Sequence, residues 1–113
     1  MELQPSYLYL LTNQQLQLHK IGIGTVGKDK GYLERLIQDG WTVQGMWHHR
    51  DKHTTFQWEI KVFSQLQSKV AQVDSESPAF LGKRDKHWVE NISAQAISAT
   101  DLAHLMSTVV SGK

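Results

Sequence analysis

Residues 6–12 of the chain are SYLYLLT, and residues 17–24 are QLHKIGIG. The first stretch is rich in aromatic and aliphatic side chains, which favour a β-strand. The second alternates apolar residues with others, and a polar turn at residues 13–15 separates the two stretches. We therefore predict that they pair as a β-hairpin, which ends among Gly22, Gly24 and Gly27.

The next two elements follow from apolar spacing. Residues 32–33 and 36–37 are apolar at helical spacing, and Gly40 suits the end of a short helix. Residues 41–49 are predicted to form a third strand, which completes a small sheet. The residues expected on one face of that strand are Trp41, Val43 and Trp47.

Two further helices are predicted in the second half of the chain. Thr54 and Gln57 have the spacing of a capping box. The apolar stripe of the helix that they begin is formed by Phe56, Ile60, Phe63, Leu66 and Val70. Residues 74–78 are predicted to form a polar loop, and residues 87–92 a short extended segment. Residues 98–101 cap the last helix. Its inward side chains are Leu102, Leu105, Met106 and Val109.

The bulk composition bounds the class of protein. A chain of 113 residues has room for one core, and 40% hydrophobic with 20% charged residues is ordinary for a folded protein. The predicted fold class is α/β (α+β): a single domain over residues 1–113, with a small three-stranded antiparallel sheet flanked by helices in the order β-β-α-β-α-α. The absence of cysteine excludes disulfides and thiolate metal sites. Without a signal-peptide pattern or a membrane-length apolar run, a cytoplasmic protein is expected.

The net charge of +1 does not by itself indicate a nucleic-acid binder. The basic side chains are nevertheless concentrated in loop-like segments. They include Lys28, Lys30, Arg35, Arg50, Lys52, Lys83, Arg84 and Lys86. This distribution fits a concave basic surface and a solvated periphery equally well.

Glu59 is the most informative single residue. It lies three residues after Phe56 and four before Phe63, so helical spacing places it at the apolar face of its helix. A carboxylate buried there costs several kcal/mol unless it is paired or binds a cation. The alternative is a position at the edge of the stripe, where the side chain reaches solvent and a basic partner.

The hairpin and the first helix carry further candidates. Lys20 and Gly22 share a face of the second strand, where a glycine permits close approach of a ligand and a lysine is more often at the surface. Tyr7 and Tyr9 share a face of the first strand, where buried tyrosines commonly belong to the core. Arg35, beside the first helix's apolar stripe, either extends to solvent or directs its guanidinium to phosphate.

The histidines match no standard zinc pattern. His48 and His49 point to opposite faces of the predicted third strand, so they cannot both bind one ion. A catalytic role for one of them stays open. Residues 22–27 contain the letters of a G-x-G-x-x-G motif, but no βαβ unit follows, and there is no G-x-S-x-G motif. Dinucleotide binding and serine hydrolysis are therefore not predicted.

Together these segments resemble the GIY-YIG nuclease family. The family places one motif on each strand of the hairpin, which Tyr7-Leu8-Tyr9 and Lys20-Ile21-Gly22 match, with ten residues between the last tyrosine and the lysine. The family's arginine on the next helix corresponds to Arg35. Its glutamate, early in the helix after the third strand, corresponds to Glu59. The resemblance covers residues 6–70.

The motifs depart from the family pattern at two places. The first motif keeps only its last tyrosine, Tyr9, and Lys20 stands where the second motif usually has a tyrosine. This KIG form is similar to a branch of the superfamily found in restriction enzymes and phage-type proteins. The segment His87-Trp88-Val89-Glu90-Asn91 is similar to the family's last conserved segment.

The resemblance implies hydrolysis of a DNA phosphodiester with one divalent ion, Mg²⁺, held by Glu59. Tyr9 would act as general base, with its pKa lowered by Lys20. Arg35 would stabilise negative charge on the phosphate, and His49 would assist in catalysis. The substrate-binding residues would be Tyr7, Gly22, His48 and Asn91. The main catalytic side chains should then surround one cleft.

Two other classes of function fit the sequence. One is a catalytically inactive GIY-YIG-like domain that binds nucleic acid or a protein partner. The other is a small interaction protein that uses its four tryptophans as a contact surface. DNA is the expected partner, RNA is an open alternative, and no membrane association is expected. With no recognition domain evident, specific cleavage would need a homodimer or a separate targeting protein.

Overall fold

The computed structural model describes residues 5–27, 30–70, 80–83, 89–94 and 97–112. For part of these ranges it describes the backbone alone, namely Lys30, Tyr32, residues 67–70, 80–83 and 89–91, and Ser93. The elements are β1 (Ser6–Asn13), β2 (Leu18–Thr25), α1 (Lys30–Gln38), β3 (Thr42–His49), α2 (Lys52–Val70), β4 (Phe80–Lys83), β5 (Val89–Ser93) and α3 (Ala99–Ser111).

The strand β1 is the centre of the fold. It pairs antiparallel with β2 along its whole length and with β3 on its other edge. All eight of its residues are buried, because neighbours cover both edges and both faces. The predicted hairpin and the three-stranded antiparallel sheet with three helices are confirmed, and the protein has an α+β fold.

The sheet continues beyond the three predicted strands. β5 pairs with the start of β2, and β4 pairs with β5, which gives the strand order β3-β1-β2-β5-β4. β5 corresponds to the predicted extended segment at residues 87–92, of which His87 and Trp88 lie outside the described residues. β4 was not predicted, because four residues that include a glycine are too short to show strand alternation.

The two faces of the sheet pack against different helices. On one side, here called the α2 face, Leu8 and Leu10 form a core with side chains from α2 and α3. The helix residues in this core are Val62, Phe63, Leu66, Leu102, Leu105, Met106 and Val109. On the other side, the α1 face, Tyr7 and Tyr9 pack with Leu33 and other apolar residues beneath α1. Each such fully buried apolar side chain contributes about 1.5–3 kcal/mol.

A β-bulge in β3 overturns one prediction about its faces. Leu10 pairs with Gly45 whereas Leu11 pairs with Val43, so Gln44 is an extra residue in β3. An extra residue reverses the alternation of side chains along a strand. Trp47 consequently packs on the α2 face, while Trp41, just before β3, belongs to the core of the α1 face. The prediction that Trp41, Val43 and Trp47 share one face was wrong.

The apolar stripe of α2 is rotated from its predicted position. Phe56 and Ile60 are 41% and 46% exposed, whereas Thr55 and Glu59 are buried beside the apolar core residues. The first turn is capped by Asp51, whose carboxylate accepts hydrogen bonds from the His53 N–H at 3.1 Å and, at 3.4 Å, from the Thr54 hydroxyl. The predicted capping box at Thr54 is therefore replaced by an earlier cap. No helix in the described part of the chain is long and apolar enough to cross a membrane.

His19 ties the last helix to the sheet, and its replacement should be costly. Its Nδ1 lies 2.8 Å from the Thr12 hydroxyl and its Nε2 lies 2.8 Å from the Ile97 carbonyl oxygen, and the residue is 1% exposed. We expect His19→Phe to lower the free energy of unfolding by about 2–4 kcal/mol, because it removes the hydrogen-bond partner of two buried polar groups, the Thr12 hydroxyl and the Ile97 carbonyl. Urea unfolding measures this, with His104→Phe on the exposed side of α3 as the control. An equal effect of both substitutions would contradict the role assigned to His19.

Candidate functional site

Three polar side chains lie in a row across the end of the α2 face. Ser6 of β1 is the register partner of Thr25 in β2 and of His49 in β3. Partners in register point to the same face of an antiparallel sheet, so all three face α2. Ser6 and Thr25 are buried and His49 is half-buried. This end row borders the apolar core that begins at Leu8.

A pair of hydroxyl groups joins the end row to α2. The Ser6 and Thr55 hydroxyl oxygens are 2.7 Å apart. The Thr55 hydroxyl also donates to the Lys52 carbonyl oxygen at 2.9 Å. Because Thr55 has a single proton to give, the Ser6 hydroxyl must be the donor in the bond between them. Both protons are therefore engaged and neither can serve a neighbouring carboxylate.

The Glu59 carboxylate lies one helical turn after Thr55 on the same buried stripe of α2. The residue is 1% exposed, and within the described part of the chain neither of its carboxylate oxygens has a hydrogen-bond partner. Burial raises the pKa of Glu59 from its usual 4.5 to about 7. A carboxyl group enclosed in this way favours its neutral form, or a cation in place of the proton.

The orientation of His49 is fixed by its neighbours. Its Nδ1 accepts a hydrogen bond from the Asp51 backbone N–H at 2.9 Å, so the ring proton of the neutral imidazole is on Nε2. The Trp58 ring packs edge-on against it, with centroids 5.4 Å apart. His49 thus presents one N–H donor at the rim of the end row.

The opposite face of the sheet holds the two motif tyrosines. Tyr9 is the register partner of Gly22 and Tyr7 that of Gly24, and the centroids of the two rings are 6.2 Å apart. A Cβ added to Gly22 would lie 2.4 Å from the Tyr9 hydroxyl oxygen, and one on Gly24 would lie 2.4 Å from Cζ of Tyr7. The two glycines are therefore needed for the rings to lie flat across β2.

Lys20 and His48 belong to the same α1 face. Lys20 is 9% exposed, and its ammonium lies 5.2 Å from the ring centroid of Trp41, within range of a cation–π interaction. His48 is exposed, and its ring centroid is 5.5 Å from that of Tyr7. The face therefore combines neighbouring aromatic rings, tilted to one another, with a buried cation.

The structure brings the predicted site residues together in two groups. Tyr7, Tyr9, Lys20, Gly22 and His48 share the α1 face. Glu59 and His49 are on the α2 face, and the hydrogen-bonded backbone of the sheet separates the two groups. The expectation of one cleft is not met, because residues of opposite parity along β1 face opposite helices.

Two predicted site residues lie apart from both groups. Arg35 is exposed in the last turn of α1. Asn91 is in β5, where it pairs with Leu81, and its side chain is outside the described part. The residues that the sequence did not indicate are Ser6, Thr25 and Thr55. A serine or threonine in an apolar segment gives no signal of its own, and Ser6 and Thr55 are 49 positions apart.

Gly22→Ala should destabilise the protein through the Tyr9 ring. The new Cβ would also lie 2.6 Å from the ring carbon Cζ, so the ring or the strand must shift. We expect a loss of about 1–3 kcal/mol, as for other overpacked cores. Adding Tyr9→Leu should recover at least about 1 kcal/mol of it in a double-mutant cycle. Gly31→Ala in α1, where a Cβ meets nothing within 4 Å, is the control. Additive effects would show that the ring is not the obstacle.

The described side chains define a small α+β protein with one enclosed carboxylate rather than a preformed metal cage. No group of three or more His, Asp or Glu side chains in the described residues could hold a metal ion. Comparisons with protein-family models, with curated proteins and with solved structures gave no match.

Proposed function

We propose that the protein is a cytoplasmic, metal-dependent endonuclease that hydrolyses phosphodiester bonds in DNA, of the GIY-YIG type with the KIG variant of the second motif. The order of the hairpin, α1, β3 and α2 supports this proposal, as does the position of Glu59 within α2. The observation that carries it is the Glu59 carboxylate, buried with both oxygens unpartnered.

The Glu59 carboxylate supplies the kind of oxygen ligand that a divalent cation prefers. Mg²⁺ prefers oxygen ligands, and it is commonly held by one or two carboxylates together with water and substrate phosphate. Glu59 would hold the ion, which when bound would neutralise charge on the phosphate and the leaving oxygen. Because both oxygens are enclosed, the ion requires the first turns of α2 to move away from the strands.

The chain's own side chains would divide the remaining work. His49 is on the same face as Glu59, and its Nε2–H would donate to a phosphate oxygen. The hydroxyl pair of Ser6 and Thr55 joins the first turns of α2 to β1, and it would have to open for the ion to reach Glu59. Arg35 is exposed on α1, on the other side of the sheet from α2, so the phosphate contact that the resemblance implies for it is not made at Glu59 in this arrangement. On the α1 face, Tyr9 cannot reach a phosphate at Glu59 in this arrangement.

The second candidate is a catalytically inactive domain of the same type that binds nucleic acid or a protein partner. The observation in its favour is the separation of Tyr9 and Glu59 by the sheet, since the base that the resemblance implies is then remote from the carboxylate. In this arrangement the tyrosines of the α1 face serve only to pack against α1.

A plasmid-nicking assay with Mg²⁺ and with EDTA separates the two candidates. The endonuclease should convert supercoiled plasmid to nicked or linear DNA with Mg²⁺ alone, and EDTA should stop the reaction. A chain that binds the plasmid without cutting it under either condition is the inactive domain. Cleavage that persists in EDTA would exclude the metal-dependent mechanism.

A further inference from the structure

The end of β3, the two residues after it and the start of α2 together form a basic turn, defined here as residues 48–53. Arg50, Lys52 and His53 are exposed, and so is His48. Exposed acidic side chains in the described residues lie elsewhere, on α1 and its following turn and at the start of α3. They are Glu34, Asp39 and Asp101. Among the side chains that the structure describes, the basic turn therefore presents positive charge to solvent without an exposed acid within it.

The one acid in the basic turn is engaged inward. Asp51 is half-buried, and its two carboxylate oxygens accept from the His53 backbone N–H and from the Thr54 hydroxyl. Its charge is directed at the positive end of the α2 dipole rather than at solvent. The exposed charged side chains of the turn are consequently those of Arg50 and Lys52.

The basic turn begins at the end of β3, where two consecutive histidines point to opposite faces of the sheet. His48 is the register partner of Tyr7 on the α1 face, and His49 is that of Ser6 on the α2 face. His49 adds a fixed Nε2–H donor at this point, because the Asp51 N–H occupies its Nδ1. A phosphate backbone that crosses the turn would therefore contact the cationic side chains of Arg50 and Lys52 and the oriented Nε2–H donor of His49.

We propose that the basic turn is the surface that takes the phosphate backbone of DNA. Phosphate contacts fix the position of a nucleic acid on a protein, and exposed Arg and Lys side chains supply most of the affinity. The inference rests on the proposed function only for the choice of DNA. It adds the place of contact, at the end of the sheet that holds the end row and Glu59.

The test measures binding of a short fluorescein-labelled DNA duplex by fluorescence anisotropy in EDTA over a range of salt concentrations. Arg50→Gln/Lys52→Gln should weaken binding at least about tenfold and lower the slope of log K against log salt by about two. Lys52→Gln alone should lower the slope by about one. Lys61→Gln, an exposed lysine on the same helix, is the matched control and should change affinity by less than about twofold.

The outcomes separate this surface from the nuclease itself. Unchanged binding by the double variant, an equal effect of Lys61→Gln, or no binding by the wild type would overturn the surface. A tenfold preference for an RNA duplex of the same sequence would overturn the choice of DNA. Mg²⁺-dependent cleavage that the double variant retains would leave the nuclease but exclude this surface. Binding that depends on the turn without any cleavage would leave the surface and exclude the nuclease.

Discussion

Glu59→Gln should be more stable than the wild type in mildly alkaline solution, and this advantage should disappear in acid. The wild type must ionise an enclosed carboxyl group as the pH rises, because Glu59 is 1% exposed and neither oxygen has a partner. Glutamine has nearly the same shape and carries no charge at any of these pH values. The two chains therefore differ mainly in the cost of ionisation.

The direction of the effect follows from the raised pKa. Glu59 titrates at about 7 in the folded protein and near 4.5 when unfolded. The stability that the protonated form contributes is fully present below the unfolded pKa and is lost as the pH rises through the folded one. Between about pH 5 and pH 8 the wild type should lose roughly 2.5 kcal/mol relative to Glu59→Gln.

Urea unfolding of both chains across this pH range measures the difference. Its change with pH is the informative quantity, because the glutamine amide has its own constant cost of about 1–3 kcal/mol if unpartnered. Glu34→Gln, an exposed glutamate of α1, is the matched control. A difference curve for Glu59→Gln that is flat with pH would show that the carboxyl group is not enclosed.

The same experiment with added Mg²⁺ reports on the cation. A ligand that binds only the folded state raises its stability in proportion to the logarithm of its concentration. Mg²⁺ should stabilise the wild type near pH 8, where Glu59 has lost its proton, and should leave Glu59→Gln unchanged. Stabilisation of both chains to the same extent would place the ion elsewhere.

The part of the fold that could be predicted is the part dominated by apolar pattern. β1 has buried neighbours on every side, so its apolar run is continuous, and the pairing with β2 follows from the short polar turn between them. The burial of Glu59 was also within reach, because Phe63 and its neighbours fix the inward side of α2. The apolar pattern of the sequence was therefore sufficient to predict those elements whose buried side is continuous along their length.

The rest depended on contacts between distant residues. The rotated stripe of α2 is accompanied by the Ser6–Thr55 hydroxyl pair and by the Asp51 cap, neither of which the apolar pattern reveals. The bulge at Gln44 moved Trp47 to the other face, and its one sequence sign is the adjacent Gly45, because a glycine inside a strand often marks a bulge. The separation of Glu59 from Tyr9 likewise depends on distant contacts. It is decided by which side of the sheet α2 covers, and the sequence near either residue does not show this.

Glu59→Ala and Tyr9→Phe should have very different effects on DNA cleavage. Loss of the carboxylate removes the side chain that would hold the cation, so we expect a fall in kcat/KM of roughly a hundredfold or more. Tyr9 is 6% exposed on the α1 face, with its ring over Gly22 and the sheet between it and Glu59. We expect Tyr9→Phe to keep cleavage within about threefold of the wild type, since its loss is one hydrogen-bonding group in a packed core.

This pair of variants decides between two mechanisms, and steady-state cleavage of a defined duplex is the measurement. A loss of several orders of magnitude in Tyr9→Phe, with its unfolding curve unchanged, would establish the base that the resemblance implies. It would also require α2 to leave the α2 face during the reaction, because the folded sheet separates the tyrosine from the carboxylate. Full activity in Glu59→Ala would remove the carboxylate from the mechanism. The expected pattern, loss at Glu59 and retention at Tyr9, would instead locate the chemistry at the end row, where His49 offers its N–H donor.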